Sequence, residues 1–275
     1  MIISNKYRFV FVHIPKCAGT TVRAVLQVFD DRNGFYTSRV EQHEDLGRLD
    51  FVHIPLFILE QYFSSELERI KRYWTFSVLR DPYSRFPSSV SQRMKKYGPG
   101  AVHTQSIKQV KKEVDEAIAY LSNQPKKPHL LPAEYIHFQK QRDYVELNGE
   151  WVVDTLYRLD QIPKLFQDVS NRTSGELTVS DEVSGGAHAN RSVVYRNNLM
   201  RSLIEPTRPA TRVLTRAIPD SVRQKLRNLV YVPRDKRLRD IFESDYVIGF
   251  ISDYYKEDIK LWNRLLETSN GNLDS

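Results

Sequence analysis

The sequence predicts an α/β fold, a central parallel sheet covered by helices, and three observations lead there. Short runs of β-branched and aromatic residues alternate with segments of helical periodicity. The strand candidates end in loops that lead directly into helices, the connection a parallel sheet needs. The chain has 275 residues, 40% of them hydrophobic and 27% charged, which is enough to bury a large core and too balanced for a disordered or fibrous chain. No repeat, low-complexity stretch or linker divides it, so a single domain over residues 1–275 is expected.

The elements follow in order. Residues 7–13, Tyr-Arg-Phe-Val-Phe-Val-His, read as a buried strand that stops at Ile14-Pro15. A helix is expected from Thr20, because Val22, Val25, Leu26 and Phe29 recur at helical spacing. Residues 50–54 form a short strand candidate stopped by Pro55, and residues 56–63 look helical. Residues 73–79, Tyr-Trp-Thr-Phe-Ser-Val-Leu, are the most strand-like run in the chain. They end at Arg80-Asp81-Pro82, with a helix expected from Tyr83 to about Lys96.

Residues 107–122 place Val110, Val114, Ile118 and Leu121 on one helical face. Residues 152–159 read as another strand, with Pro163 opening the next helix. Residues 173–191, polar and containing Gly185-Gly186, are expected to be a mobile loop. A basic, partly helical segment should follow over about 201–240, and residues 241–266 should be helical with an aromatic face.

Charge narrows the partners. Lys and Arg number 41 against 34 Asp and Glu, a formal charge of +7, which favours anionic ligands without choosing among phosphate, sulfate, acidic glycan or nucleic acid. Cys17 is the single cysteine, which excludes an intrachain disulfide and a cysteine-based zinc site and leans toward a reducing compartment. No apolar run reaches the length of about 18 residues that a membrane span needs. The first twelve residues are too short for a signal peptide, and the initial methionine close to the first strand argues mildly against a fragment of a longer precursor.

Two segments carry chemistry. His13-Ile14-Pro15-Lys16-Cys17-Ala18-Gly19-Thr20-Thr21 lies between a strand and a helix. Small residues there let backbone N–H groups approach a ligand, the helix start favours an anion, and Lys16 adds a point charge. The order differs from a Walker A loop, since the lysine precedes the glycine. Arg80-Asp81-Pro82-Tyr83-Ser84-Arg85-Phe86-Pro87-Ser88 occupies the next strand end, where open α/β sheets bind ligands. Alone, the first segment reads equally as a tight strand–helix turn with a solvated lysine and capping threonines, and the second reads more readily as an Arg80–Asp81 pair or a helix cap.

Together the two segments resemble the nucleotide-binding signatures of sulfotransferases that use 3′-phosphoadenosine 5′-phosphosulfate (PAPS). The form is most similar to the carbohydrate branch, with its heparan 2-O-, chondroitin-type and bacterial members. His53-Ile54-Pro55 resembles that branch's G-H-x-P segment, with Val52 in place of glycine. Residues 154–160 resemble its R-F-E strand, His188-Ala189-Asn190-Arg191-Ser192 its late N-x-S loop, and residues 254–262 its final helix.

The resemblance implies a three-layer, P-loop-like sheet with helices on both faces. It implies a 5′-phosphosulfate loop on Pro15, Lys16, Cys17, Ala18, Gly19, Thr20 and Thr21, a 3′-phosphate site on Arg80 and Ser88, and cofactor contacts from Arg191 and Ser192 of the late loop. PAPS would be the donor, with no metal, and a hydroxyl of a glycan or glycoconjugate the acceptor. Lys16 would stabilise charge on the oxygen leaving sulfur. A neutral histidine suits the general base, and His53 is the first candidate; His43, Glu44 and Asp45 on the preceding loop are the rival source. Two other readings stand beside this one: a small-molecule kinase, against which the absent Walker A order counts, and a noncatalytic polyanion-binding module, whose basic segment lacks the interleaved aromatics of single-strand nucleic-acid binders. Nucleic acid is therefore not expected as a partner. A complete bacterial chain would sit in the cytoplasm, and a fragment of a eukaryotic precursor in the Golgi lumen. The oligomeric state and the acceptor's identity are not legible.

Overall fold

The computed structural model describes residues 1–37, 39–177, 194–195, 231–232 and 236–270. The chain forms two compact units, Met1–Ala189 with Tyr246–Ser275, and Asn190–Asp245. The expected loop from 178 onward and most of the basic segment at 201–240 lie outside the described residues, as do Arg191, Ser192 and His188.

The first unit opens with a hairpin, β1 (Ile2–Ser4) and β2 (Phe9–Val12), followed by helix α1 (Gly19–Leu26), which continues as one 3₁₀ turn to Phe29. A second hairpin, β3 (Val40–His43) and β4 (Gly47–Asp50), precedes α2 (Leu56–Tyr62) and α3 (Ser64–Arg72). Strand β5 (Trp74–Leu79) leads into α4 (Pro82–Tyr97), and α5 (Ile107–Ser122) follows. After 3₁₀ turns at Ile136–Phe138 and Arg142–Tyr144 come the small hairpin β6 (Glu146–Leu147) and β7 (Glu150–Trp151), then β8 (Thr155–Arg158) and α6 (Ile162–Arg172). In the second unit β9 (Val194–Tyr195) pairs antiparallel with β10 (Tyr231–Val232), and α7 (Lys236–Phe242) follows. Helices α8 (Asp245–Tyr254) and α9 (Lys256–Asn270) end the chain.

The central sheet has the order β1-β2-β5-β8. β2, β5 and β8 are parallel, as the strand–helix alternation predicts, with Val12 opposite Ser77 and Leu79 opposite Arg158. The expected all-parallel sheet is corrected at its edge, where β1 runs antiparallel to β2. Only four residues join these strands, too few for a crossover, and Arg8 takes a left-handed φ of 51° to close the turn. All four residues of β2 are buried, so both faces of the sheet are covered there. α3 packs on β2 and β5, and α6 on β8.

Two further expectations are corrected. Residues 50–54 do not form a strand of the central sheet: β4 ends at Asp50 and pairs with β3 alone. The helix expected over 241–266 is broken twice, at Glu243–Ser244 between α7 and α8 and at Tyr255 between α8 and α9. The Tyr255 hydroxyl is drawn inward to donate to the Phe138 carbonyl at 2.9 Å. Among the described residues no helix is long and apolar enough to cross a membrane.

Candidate active site

The parallel pairing of β2 and β5 fixes the site, because it brings the loops that leave them to one end of the sheet. In the first loop, Lys16 and Ala18 adopt left-handed φ values of 66° and 57° on either side of Cys17. Non-glycine residues reach that region at a cost, and alternation of this kind turns successive N–H groups into a concave, anion-accepting nest. Ala18 caps α1 through its carbonyl, which accepts from Thr21 N at 2.9 Å and Val22 N at 3.3 Å. The N–H groups of Gly19 and Thr20 have no acceptor earlier in the helix. The Cys17 thiol points into the core, donating to Gln141 Oε1 at 3.2 Å, so the residue offers a ligand only its backbone. Burial pushes that thiol up to about 11 and keeps it protonated.

The second loop locks onto the first. Arg80 Nη1 donates to the Lys16 carbonyl at 3.3 Å, and Nε to Ser84 Oγ at 3.0 Å. Gln141 clamps the Arg80 backbone on both sides, accepting from its N at 3.0 Å and donating to its O at 2.8 Å. Asp81 does not pair with Arg80: it caps α4, accepting from Tyr83 N and Ser84 N, with Pro82 preset at the first helical position. On α4, Ser84, Ser88 and Gln92 recur every fourth residue and share a face. That face is pinned at both ends, by Arg80 on Ser84 and by Lys16 Nζ, which donates to Gln92 Oε1 at 3.1 Å. The half-buried Ser88 therefore stands between the two cations. Burial, reinforced by the Arg80 charge, lowers the Lys16 ammonium to about 8.

His53 reaches this end of the sheet from a turn. Asp50 O accepts from His53 N at 3.1 Å and Asp50 Oδ1 from Val52 N at 3.0 Å, which folds the imidazole back over the Asp50 carboxylate. His53 Nδ1 lies 3.4 Å from Asp50 Oδ2, within reach of the charge though out of hydrogen-bond alignment. His53 is the middle of three packed rings, 4.6 Å from His13 and 5.3 Å from His137 between centroids. Burial holds its imidazole below the ordinary histidine value against the opposing pull of Asp50, so it is neutral at pH 7. His13 is lowered further, by burial and then by its His53 neighbour, and its ring fills the space where a Cβ on Gly19 would stand.

The rival base candidates are elsewhere. Glu44 and Asp45 occupy the exposed tip of the β3–β4 hairpin, a strand length of roughly 10 Å from Asp50. His43 packs edge-on against Tyr62 and Phe63.

Sequence reasoning did not find the residues that bind these parts together. Arg85 is fully buried. Its Nε donates to the Pro15 carbonyl at 3.0 Å, Nη2 to the carbonyls of Gln139 at 2.6 Å and His137 at 3.2 Å, and Nη1 lies 4.0 Å from Asp258 of α9. Asp258 in turn accepts from the backbone N–H groups of Gln141 and Arg142 at 2.8 and 2.9 Å. A signal for Arg85 existed: it shares the apolar stripe of α4 with Phe86, Val90 and Met94, where a lone cation must have buried partners. His137 lies in a 3₁₀ turn and Gln141 just before the next one, neither within a periodic pattern, and they left no such signal. Among the described residues no cluster of His, Cys, Asp or Glu is arranged to hold a metal.

Two adjacent cationic loops at the carboxyl edge of an α/β sheet stand where such sheets bind ligands, and their charge suits an anion. The chain matches the model of the Sulfotransferase family over residues 1–263, and it belongs to that family. No curated protein and no solved structure matches it.

Proposed function

We propose that this sulfotransferase uses PAPS as donor and moves its sulfuryl group to a hydroxyl of a carbohydrate, giving PAP and a sulfate ester. The observation that carries this reading is the direct contact of Arg80 with Lys16, continued by Ser84, Ser88 and Gln92 along α4. A donor with phosphates at two positions needs two anion sites within one nucleotide's length, and the contact between the Lys16 and Arg80 loops supports that reading. In this reading the nest from Pro15 to Thr21 holds the 5′-phosphosulfate. Arg80 and Ser88 hold the 3′-phosphate.

The chemistry is an in-line displacement. The acceptor oxygen bonds to sulfur as the bond from sulfur to the 5′-phosphate oxygen breaks, and the electron pair stays with PAP. Lys16 meets the charge that grows on that departing oxygen. The hydroxyl proton passes to Nε2 of neutral His53, and the Asp50 carboxylate behind Nδ1 stabilises the imidazolium formed. The acceptor's sugar nature rests on the branch resemblance and on the basic balance of +7.

Calorimetric titration with PAP, ATP and a sulfated oligosaccharide separates the readings. The proposal requires saturable PAP binding much tighter than ATP binding. Preference for ATP would support a kinase-like site, and binding of the oligosaccharide alone a noncatalytic module.

A further inference from the structure

The geometry points to His137 as a further catalytic residue, a neutral imidazole whose Nε2–H donates a hydrogen bond to the sulfuryl group in flight between Lys16 and His53. This assignment rests on the reading under Proposed function for the identity of the group, but its first premise, the tautomer, does not.

Position is the first argument. One guanidinium, that of Arg85, holds the Pro15 carbonyl of the donor loop and the His137 carbonyl, at 3.0 and 3.2 Å. Ser89 Oγ also donates to the His137 carbonyl, at 2.7 Å. The 3₁₀ turn carrying His137 is thus fastened to the same frame as Lys16. On its other side the His137 ring lies 5.3 Å from that of His53. His137 therefore stands where the donor loop and the candidate base meet.

The proton inventory is the second argument. Nδ1 of His137 is buried without a hydrogen-bond partner, whereas Nε2 is not among the buried, unpartnered atoms. A neutral imidazole carries one N–H. Leaving that N–H buried and unmet costs more than leaving a bare lone pair there, so the proton belongs on Nε2, which solvent or substrate reaches. His53 Nδ1 is also buried out of hydrogen-bond alignment, but it lies 3.4 Å from the Asp50 carboxylate, whose charge favours the proton on that side and leaves the lone pair on Nε2, whereas no carboxylate stands within ion-pair distance of His137 among the described residues. Two neighbouring histidines thus present opposite outer edges, one accepting and one donating. Burial, with the charges of His53 and Lys16 added, lowers His137 to about 2, so it remains a neutral donor and does not compete for the acceptor's proton.

The test has two parts. In protein labelled with ¹⁵N at histidine, NMR should find the His137 proton on Nε2 and the His53 proton on Nδ1; His137 protonated on Nδ1 would overturn the assignment. Turnover is then read as PAP release from PAPS, with unsulfated chondroitin as the probe acceptor, or with water where chondroitin does not accept. His137→Phe, which keeps the ring volume, should slow release about 100- to 1,000-fold, the usual cost of one donor to developing charge. PAP affinity should stay within about threefold. His137→Gln, which keeps an N–H at nearly the same reach, should hold more than a tenth of wild-type turnover. Equal losses in both variants, or a Phe variant within tenfold of wild type, would refute the donor role. Wild-type protein that binds no PAP would instead count against the donor reading above, while the tautomer result still decides the premise specific to His137.

Discussion

At the scale of single residues, charge and fit separate the roles. Arg80→Ala removes one charge-assisted contact, a loss of about 1.5–3 kcal/mol, or roughly 10- to 150-fold in affinity. The loss should fall on PAP and spare adenosine 5′-phosphate; titration showing equal losses would remove the 3′-phosphate from Arg80. Protonation gives a second prediction. His53 is lowered below the ordinary histidine value, so in the proposed role of base it would become protonated and inactive only as pH falls through that lower value. Lys16, lowered to about 8, loses its charge as pH rises through that value. The kcat/KM profile should rise below pH 6.5, hold near neutrality, and fall above about pH 8; a profile flat to pH 9.5 would show that Lys16 carries no essential charge. Fit gives a third. A Cβ on Gly19 would stand 1.8 Å from His13 Cδ2 and Nε2, and that ring is wedged between Phe11 and His53. Gly19→Ala should destabilise by about 1–3 kcal/mol in a denaturant titration and weaken turnover by displacing the histidine stack.

At the scale of elements, α4 and α9 act as a clamp on the loop from Pro15 to Thr21. α4 brings Arg85 to Pro15 and Gln92 to Lys16, and α9 brings Asp258 to Arg85 and to the backbone of Gln141, whose side chain holds Arg80. Asp258→Ala removes the carboxylate from two backbone donors and from a buried cation. It should cost about 3–5 kcal/mol by equilibrium unfolding, far more than loss of an exposed pair. A loss under 1 kcal/mol would show that α9 does not brace the site. Pro87 lies within α4, where its ring removes the bond to the Tyr83 carbonyl, and the helix nevertheless runs on to Tyr97.

At the scale of the whole molecule, what was legible followed from local pattern. Apolar runs ending at Pro15 and Arg80 identified the strands and the loops beyond them, and parallel pairing then required those loops to meet. The motif residues Lys16 and Arg80 were visible for that reason. The antiparallel β1 was hidden because three residues make too short a period to read, and the β3–β4 hairpin because its residues are polar. His137 and Gln141 depend on contacts more than 50 residues away in sequence, with Arg85 and Arg80, which no window along the chain samples.

Sulfuryl transfer from PAPS with His53 as base is open to one decisive experiment, transfer of a sulfur label. The protein is incubated with ³⁵S-labelled PAPS and a panel of desulfated glycans, beside the His53→Ala variant. The wild type should yield a labelled glycan sulfate ester. The variant should lose about 10²–10⁴ in rate with PAP affinity nearly intact, because a general base touches the acceptor and not the nucleotide. A His53→Ala protein that keeps more than about a tenth of wild-type kcat would contradict the base assignment, and a wild type that neither binds PAP nor labels any acceptor would contradict sulfuryl transfer from PAPS itself.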